Sequence, residues 1–277
     1  MEEQRCDLHI HSNFSDSDAT VESIFREASE KKIFCLSITD HDTVENVNQA
    51  RTYSKAYNVG LIEGIELSAQ HQDTEIHILG YFSDAENSDL KKELVFLKKL
   101  REERIICMAE KLNSLGVFVD VKELFTDMRG AIPTRLHLGL YLLRKKHVSS
   151  LRQAFSKYLS PGKPAYKSRF KFSVREAIEF IKKFGGISFL AHPHIIPYQS
   201  WIEEFISLGV NGLEVVYHNM SQRKKILYEG IVQKNKLLRS GGSDAHGSYK
   251  EFTQIGSVTV PYDWANKIKE CLKTLTT

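Results

Sequence analysis

Short apolar runs ending in a histidine or an acid alternate along this chain with stretches in which apolar residues recur at helical spacing. Residues 6–11, 35–41, 61–66, 75–77, 187–192 and 242–246 read as strand segments, each delivering imidazole or carboxylate at its C-terminal tip. The patterns at 21–31 and 44–57 predict helices between the first strands, and the alternation resumes near residue 172. There it predicts helices over 174–184, 198–208, 221–235 and 262–274, and strands over 186–191, 210–217, 237–241 and 254–260. Such alternation builds βαβ units, and in a parallel β/α barrel the strand tips meet on one face.

Between the two halves the period changes. Leu90, Leu94, Leu97, Ile105, Met108, Leu112 and Leu115 recur at helical spacing, and shorter helical patterns follow at 134–143 and 150–158. Residues 85–164 therefore read as a helical insertion capping the strand-tip face, inserted into a discontinuous domain of residues 1–84 and 165–277. Pro161-Gly162-Lys163-Pro164 punctuates the return.

Composition narrows the class. With 277 residues, 42% hydrophobic and 26% charged, the chain is ordinary for a soluble globular protein. Its longest apolar stretches fall far short of the ~18 residues a membrane helix needs. The acidic start Glu2-Glu3 does not resemble a signal peptide, so a cytoplasmic location is expected. Cys6, Cys35, Cys107 and Cys271 form no CxxC pair, and Cys6 and Cys35 fall inside predicted strands as reduced core residues.

The strand tips carry the candidate chemistry. His9, His11, Asp16, His41, Glu66, His77, His192, Asp244 and His246 all lie at or just past apolar runs. In His9-Ile10-His11 the period of two sends both imidazoles to one side, where they can grip one ion. Adding Glu66 and Asp244 gives a mixed nitrogen and oxygen site suited to Mn, Fe, Zn or Co rather than to Mg or Ca. His-X-His alone is a weak signal. Followed in order by Thr39-Asp40-His41, Gly64-Ile65-Glu66, Ala191-His192-Pro193 and Ser243-Asp244-Ala245-His246, it becomes a strong one.

These motifs, with His77 before Leu79-Gly80-Tyr81 and with Asp7-Leu8-His9-Ile10-His11-Ser12 at the start, resemble the PHP (polymerase and histidinol phosphatase) phosphoesterases over almost the whole chain. The resemblance implies an α/β fold, a distorted (β/α)7 barrel, with three divalent ions, Mn, Fe or Zn, at its rim. It implies His9, His11, Glu66 and Asp244 on a first ion, with Glu66 bridging to a second held by His77 and His192. Asp16, His41 and His246 would hold the third. Hydroxide on an ion would be the nucleophile, since metal-bound water can reach a pKa of about 7. The insertion and Gly162-Lys163-Pro164-Ala165-Tyr166 are similar to the branch acting on nucleoside 3′,5′-bisphosphates and on short 5′-phosphorylated RNA. That branch usually has Ser-Asp-Gly where this chain has Ser15-Asp16-Ser17, and Arg-Pro-His where it has Arg135-Leu136-His137.

Charge adds an independent hint. From Arg129 to Lys171 there are eleven Lys or Arg and no Asp or Glu; the net charge is +3, so 3 less 11 leaves −8 on the rest. An acid-free basic stretch interleaved with aromatics offers a field for phosphate. Within it Arg135 and Lys163 are the candidate phosphate clamps. His194 and His218, near predicted strand tips, are candidates for protonating the leaving oxygen or binding phosphate. Asp40 reads as an orienting neighbour of His41, and His71 and His147 as solvated loop residues. The expected partner is a nucleotide or short RNA. The competing readings are a small-metabolite phosphatase, such as one for histidinol phosphate, and a non-catalytic metal-bound module that stabilises a replication partner; intact ligands at all nine positions weigh against the second.

Overall fold

The computed structural model describes residues 4–168, 172–250 and 252–275. Arg169, Phe170 and Lys171 of the basic stretch lie outside the described residues. The chain forms a mixed α/β fold of two sheets with helices packed on them. The first sheet runs β10 (Val260–Pro261), β1 (Arg5–Ile10), β2 (Ile33–Ile38), β3 (Gly60–Leu61), parallel except for the β10 edge. The second runs β6 (Phe172–Ser173), β4 (Glu63–His71), β5 (Thr74–Phe82), β7 (Ile187–Leu190), β8 (Gly212–Tyr217), β9 (Leu238–Gly242). Within it β5 lies antiparallel to both β4 and β7, while β7, β8 and β9 are parallel.

The sheets meet at two seams. At one, the bridge His41↔Glu66 joins the end of β2 to β4; at the other, Ile10↔Ala245 joins β1 to the segment after β9. Both seams are too close for side chains. A Cβ on Gly64 would lie 2.6 Å from Ser37 Oγ, and one on Gly242 would lie 2.4 Å from the His9 nitrogen. Tyr81 spans the interior, its hydroxyl donating to the Leu8 carbonyl at 2.9 Å and lying 2.7 Å from Ser240 Oγ.

Helices cover the outer faces through stripes the sequence dictates. In α1 (Val21–Glu30), Thr20 caps the start and Val21, Ile24, Phe25 and Ala28 form the buried face. Each large apolar side chain so buried contributes roughly 1.5–3 kcal/mol. Helix α2 (Val47–Tyr57) completes that core with Ile10, Leu36 and Ile38. Helices α7 (Val174–Lys183), α8 (Gln199–Ser207) and α9 (Gln222–Asn235) pack on the second sheet, and α10 (Tyr262–Leu275) covers β1.

Residues 88–168 have their own core. Helix α3 (Ser88–Ser114) belongs to two cores: Leu90, Leu94 and Leu97 join the sheet, whereas Ile105, Met108, Ala109 and Leu112 pack with α4 (Val121–Met128), α5 (Arg135–Arg144) and α6 (Leu151–Ala154). A π-helical turn at Phe155–Leu159 follows. The sequence boundary near residue 85 thus precedes a helix shared by both cores.

Two expectations are corrected. The run 75–77 was expected to end a parallel strand at its C-terminal tip, yet β5 is antiparallel and His77 lies near its start. A tight hairpin connects β4 to β5 with no helix between, so the beginning of β5 reaches the rim where its neighbours end. The strand expected over 254–260 reduces to Val260–Pro261. Ser257 N–H instead closes a turn on the Gln254 carbonyl, Gly256 adopts φ +74°, and its N–H donates to Asp7 Oδ2 at 2.9 Å.

Candidate metal centre and its cavity

The rim brings all nine predicted ligands into one cluster. Period two in β1 puts His9 and His11 on the same side, their Nε2 atoms 3.2 Å apart. Glu66, mid-strand in β4 and 1% exposed, faces five imidazoles, divided between its two oxygens. Oε2 lies 3.4, 3.1 and 3.2 Å from His9 Nε2, His11 Nε2 and His41 Nδ1. Oε1 lies 2.8 Å from His77 Nδ1 and 3.0 Å from His192 Nε2. Asp244 Oδ1 approaches His9 and His11 at 3.3 and 3.0 Å. Asp16 lies 3.6 Å from His41, 3.4 Å from His246 and 3.7 Å from His11.

Three subsets converge tightly enough to share an ion: His9, His11, Glu66 and Asp244; His11, Asp16, His41 and His246; His41, Glu66 and His77. The donor chemistry fits a cation. Among the described residues, seven carboxylates are buried, Asp7, Asp16, Asp40, Asp42, Glu66, Glu214 and Asp244, against two buried guanidiniums, Arg101 and Arg104. Asp16 Oδ1 and His41 Nδ1 are buried without a hydrogen-bond partner. Burial alone would raise the Asp16, Glu66 and Asp244 pKa values, but neighbouring imidazoles, and Lys250 at Asp244, hold them well below the usual carboxylate range. Conversely His11 and His77 are pushed up to about 9, their burial outweighed by adjacent acids. The cluster therefore attracts positive charge, which divalent ions supply without protons.

Backbone and buried partners hold these ligands in place. His192 and Asp244 sit at φ +31° and +53°, conformations costing about 1–3 kcal/mol each in a non-glycine residue. The His192 N–H is fixed by Glu214 Oε2 at 2.6 Å and the Asp244 N–H by the His9 carbonyl at 2.8 Å. Glu214 Oε1 also lies 3.1 Å from His9 Nδ1. Tyr217 donates to Asp244 Oδ2 at 2.6 Å, and Lys250 Nζ reaches the same oxygen at 3.0 Å. Asp40 orients rather than joins the cluster, accepting from Ser12 N–H, Ser15 Oγ and Asn46 Nδ2 and so shaping the loop that carries Asp16. Ser17 leaves Asp16 in the cluster, its Oγ accepting from Ala19 N–H.

Sequence reading missed Glu214, Tyr217, Lys250, Arg101 and Arg104. A signal existed for two kinds of them. Glu214 interrupts an apolar strand, Gly212–Tyr217, and Arg101 and Arg104 interrupt the apolar stripe of α3. A charge in such a position has to find a buried partner.

Above the cluster opens a cavity of ≈ 330 Å³, floored by Asp16, His41, His77 and His246 and walled by Arg101, Arg104, Arg135, Phe155, Tyr249 and Lys250. Arg135 begins α5, its guanidinium over the Phe155 and Tyr166 rings and 3.8 Å from Glu75 Oε2. With Leu136 in place of proline, the helix start is kept by a capping box between Thr134 and His137. Lys163 stands on an exposed turn and does not line this cavity. Arg144 and Lys145 pair with Glu123, and Arg144 also with Asp127, so this part of the basic stretch faces solvent and local acids.

The two candidate proton donors lie off the cavity. His194 packs at a tilt against Tyr217, ring centres 4.5 Å apart; burial first, then His192 and Lys224, push its pKa down to about 4, leaving it neutral near pH 7. His218 lines a separate groove. His71 is not a solvated loop residue: it ends β4 and packs edge-on against Trp201 and Phe205, whereas His147 lies in a part-exposed bend with its Nε2 3.0 Å from the Phe118 carbonyl. At His71 the apolar body of the ring is buried against the aromatics of α8.

Among curated proteins the chain is similar to a 5′-3′ exoribonuclease of Haemophilus influenzae, 29% identical over 88% of this chain and 90% of the relative. It is also 28% identical to a 3′,5′-nucleoside bisphosphate phosphatase of Chromobacterium violaceum, over 90% of both. Among solved structures, an amidohydrolase from Chromobacterium violaceum superposes with TM-score 0.83 at 25% identity, covering 96% of each chain. A Bifidobacterium adolescentis protein provisionally described as a metal-dependent phosphoesterase superposes with TM-score 0.88 at 24% identity, over 97% of this chain and 96% of that one, and shares the fold. No helix among the described residues is long and apolar enough to cross a membrane. The PHP domain model matches residues 7–160, more than half the chain and most of the ligand motifs just placed at the rim; this chain belongs to the PHP domain family and is a metal-dependent phosphoesterase.

Proposed function

We propose that the enzyme hydrolyses phosphate esters of nucleotides, nucleoside 3′,5′-bisphosphates and short 5′-phosphorylated oligoribonucleotides, at a centre of three divalent ions. The names of the Haemophilus and Chromobacterium relatives support the substrate class. The observation that carries the reading is the cavity itself, which joins ligand imidazoles to Arg101, Arg104, Arg135 and Lys250 within ≈ 330 Å³. A dianionic phosphate placed there meets cations from the wall and from the floor at once.

Residues divide the work. His9, His11, Glu66 and Asp244 would hold one ion, Glu66, His77 and His192 a second, and Asp16, His41 and His246 a third; the two-sided approach of imidazoles to Glu66 supports a bridging carboxylate. When bound, the ions supply Lewis acidity and activate water near neutral pH. Glu214 fixes His9 and the His192 backbone, while Tyr217 and Lys250 fix Asp244. Arg135 presents a fork to a terminal phosphate, and the Phe155 and Tyr166 rings beneath it keep that fork in place. The helices of residues 85–164 act as the substrate cap, and the two sheets, joined at both seams, act as one distorted barrel rim.

The test is turnover with Mn²⁺ on adenosine 3′,5′-bisphosphate, a short 5′-phosphorylated RNA and histidinol phosphate. The nucleotide substrates should lead in kcat/KM by at least about tenfold, the ratio that 1.4 kcal/mol of transition-state discrimination gives. Equally poor turnover on all three, or a lead for histidinol phosphate, would overturn the substrate assignment.

A further inference from the structure

Beyond the catalytic cavity, a groove of ≈ 870 Å³ runs along the junction of the insertion with the loop after β9, lined by Arg152, His218, Asn219, Tyr249, Lys250 and Phe252 among others. It shares Tyr249 and Lys250 with the catalytic cavity, so the two spaces are adjoining chambers with a common wall. The catalytic cavity alone is at the small end of ligand sites, which run roughly 300–1,000 Å³. That is room for about one nucleotide and not for a longer chain. A longer oligonucleotide has to continue beyond the cavity, and the wall of Tyr249 and Lys250 opens onto the groove.

The groove's chemistry specifies what extends there. Phe252 is 78% exposed, the highest among the large apolar side chains of the described residues, and it stands two positions from the Lys250 ammonium. An isolated exposed ring needs no explanation. This one shares a groove with exposed Arg152 and with His218, whose Nε2 is buried without a hydrogen-bond partner. An aromatic platform beside cations is the arrangement that binds single-stranded nucleic acid, rings taking bases and cations taking backbone phosphates. A second chamber beside Tyr249, lined by Leu124, Met128, Leu140 and Leu143, is less suited: its cation, Arg144, is already held by Glu123 and Asp127.

We infer that this groove is an oligoribonucleotide subsite, holding the nucleotide beyond the one in the catalytic cavity by stacking on Phe252 and by contact of Arg152 with the following backbone phosphate. The inference rests on the nucleotide phosphoesterase reading and deepens it: the groove makes the chain fit RNA longer than one nucleotide. Lys250 then marks the point where the backbone passes from groove to cavity, and His218 serves substrate contact rather than proton transfer.

The experiment compares Phe252→Ala, Phe252→Trp and Arg152→Ala in the full, Mn²⁺-loaded chain on two substrates, adenosine 3′,5′-bisphosphate and a 5′-phosphorylated oligoribonucleotide a few residues long. Removing one stacked base contact costs roughly tenfold in kcat/KM on the oligonucleotide. Phe252→Trp should restore it, and turnover of the bisphosphate should stay within about twofold of the parent. Binding of a fluorescently labelled, cleavage-resistant oligoribonucleotide, followed by anisotropy, provides a readout independent of turnover. An equal loss on both substrates, or unchanged oligonucleotide kinetics and binding in Phe252→Ala and Arg152→Ala, overturns the groove. If the parent cleaves neither substrate yet binds the oligonucleotide through Phe252 and Arg152, the groove stands and the phosphoesterase substrate assignment fails.

Discussion

The rim and the basic stretch both looked functional as sequence, and the structure treats them oppositely. At the rim, predicted ligands separated by as many as 237 positions, His9 to His246, converge until each lies 2.8–3.7 Å from another, and most are buried. In the basic stretch, Arg144 and Lys145 face local acids, Lys163 stands on an exposed turn, and Arg135 alone of its described members lines the catalytic cavity. A metal site constrains residue type and position together, because every donor has to reach one ion. Net charge constrains neither, so a run of lysines and arginines says little about where any one of them points. The cavity's other cations, Arg101, Arg104 and Lys250, come from outside that run.

The comparison breaks first at Glu66. Glu66→Ala should abolish turnover, because the carboxylate facing imidazoles on both sides would serve two ions, while circular dichroism and the thermal melt remain close to the parent. Retained rate with full metal content would remove the rim from the catalytic account. Next comes Glu214→Ala, which touches no substrate but frees His9 and the His192 backbone. A loss of roughly 10–100-fold in metal affinity or activity is expected, as for partners of metal ligands generally. Metal titration in the variant checks it, and a parent-like affinity would mean that the strained His192 backbone holds itself.

Arg135→Ala sharpens the contrast from the other side. A charge-assisted hydrogen bond to phosphate is worth about 1.5–3 kcal/mol, so KM for a bisphosphate should rise roughly ten- to a hundredfold with kcat and metal content little changed. Lys163→Ala and Lys145→Ala should change KM for the same substrate by less than about fivefold, since neither lines the cavity and exposed charges contribute roughly 0–1 kcal/mol. A large effect at Lys163 would show that the turn at residues 161–165 closes over substrate and would restore the basic stretch as a binding surface.

The same contrast explains what could be read from the sequence. That the nine predicted ligands gather at one rim was legible because apolar runs carrying imidazole or carboxylate in a fixed order have few other uses, and the helices covering the sheets were legible from stripes such as Val174, Ala177, Ile178 and Ile181. Strand direction was not: the alternation in Glu75-Ile76-His77 is identical for parallel and antiparallel pairing, and only the β4–β5 hairpin reveals it. The strand expected at 254–260 failed because its alternation competes with a turn that Asp7 and Gly256 close across the fold. Glu214 and Tyr217 escaped notice because their partners, His9 and Asp244, are distant in sequence or in a different loop.

The most direct test of the central claim is metal dependence measured on one preparation. The full chain is stripped with a chelator, assayed on adenosine 3′,5′-bisphosphate, and reloaded with Mn²⁺ while bound metal per chain is counted by elemental analysis. The account predicts loss of turnover on stripping, recovery that tracks the metal content, and in Glu66→Ala a lower metal content that added Mn²⁺ fails to rescue. Full turnover in the stripped protein, or recovery in Glu66→Ala equal to the parent, would contradict it.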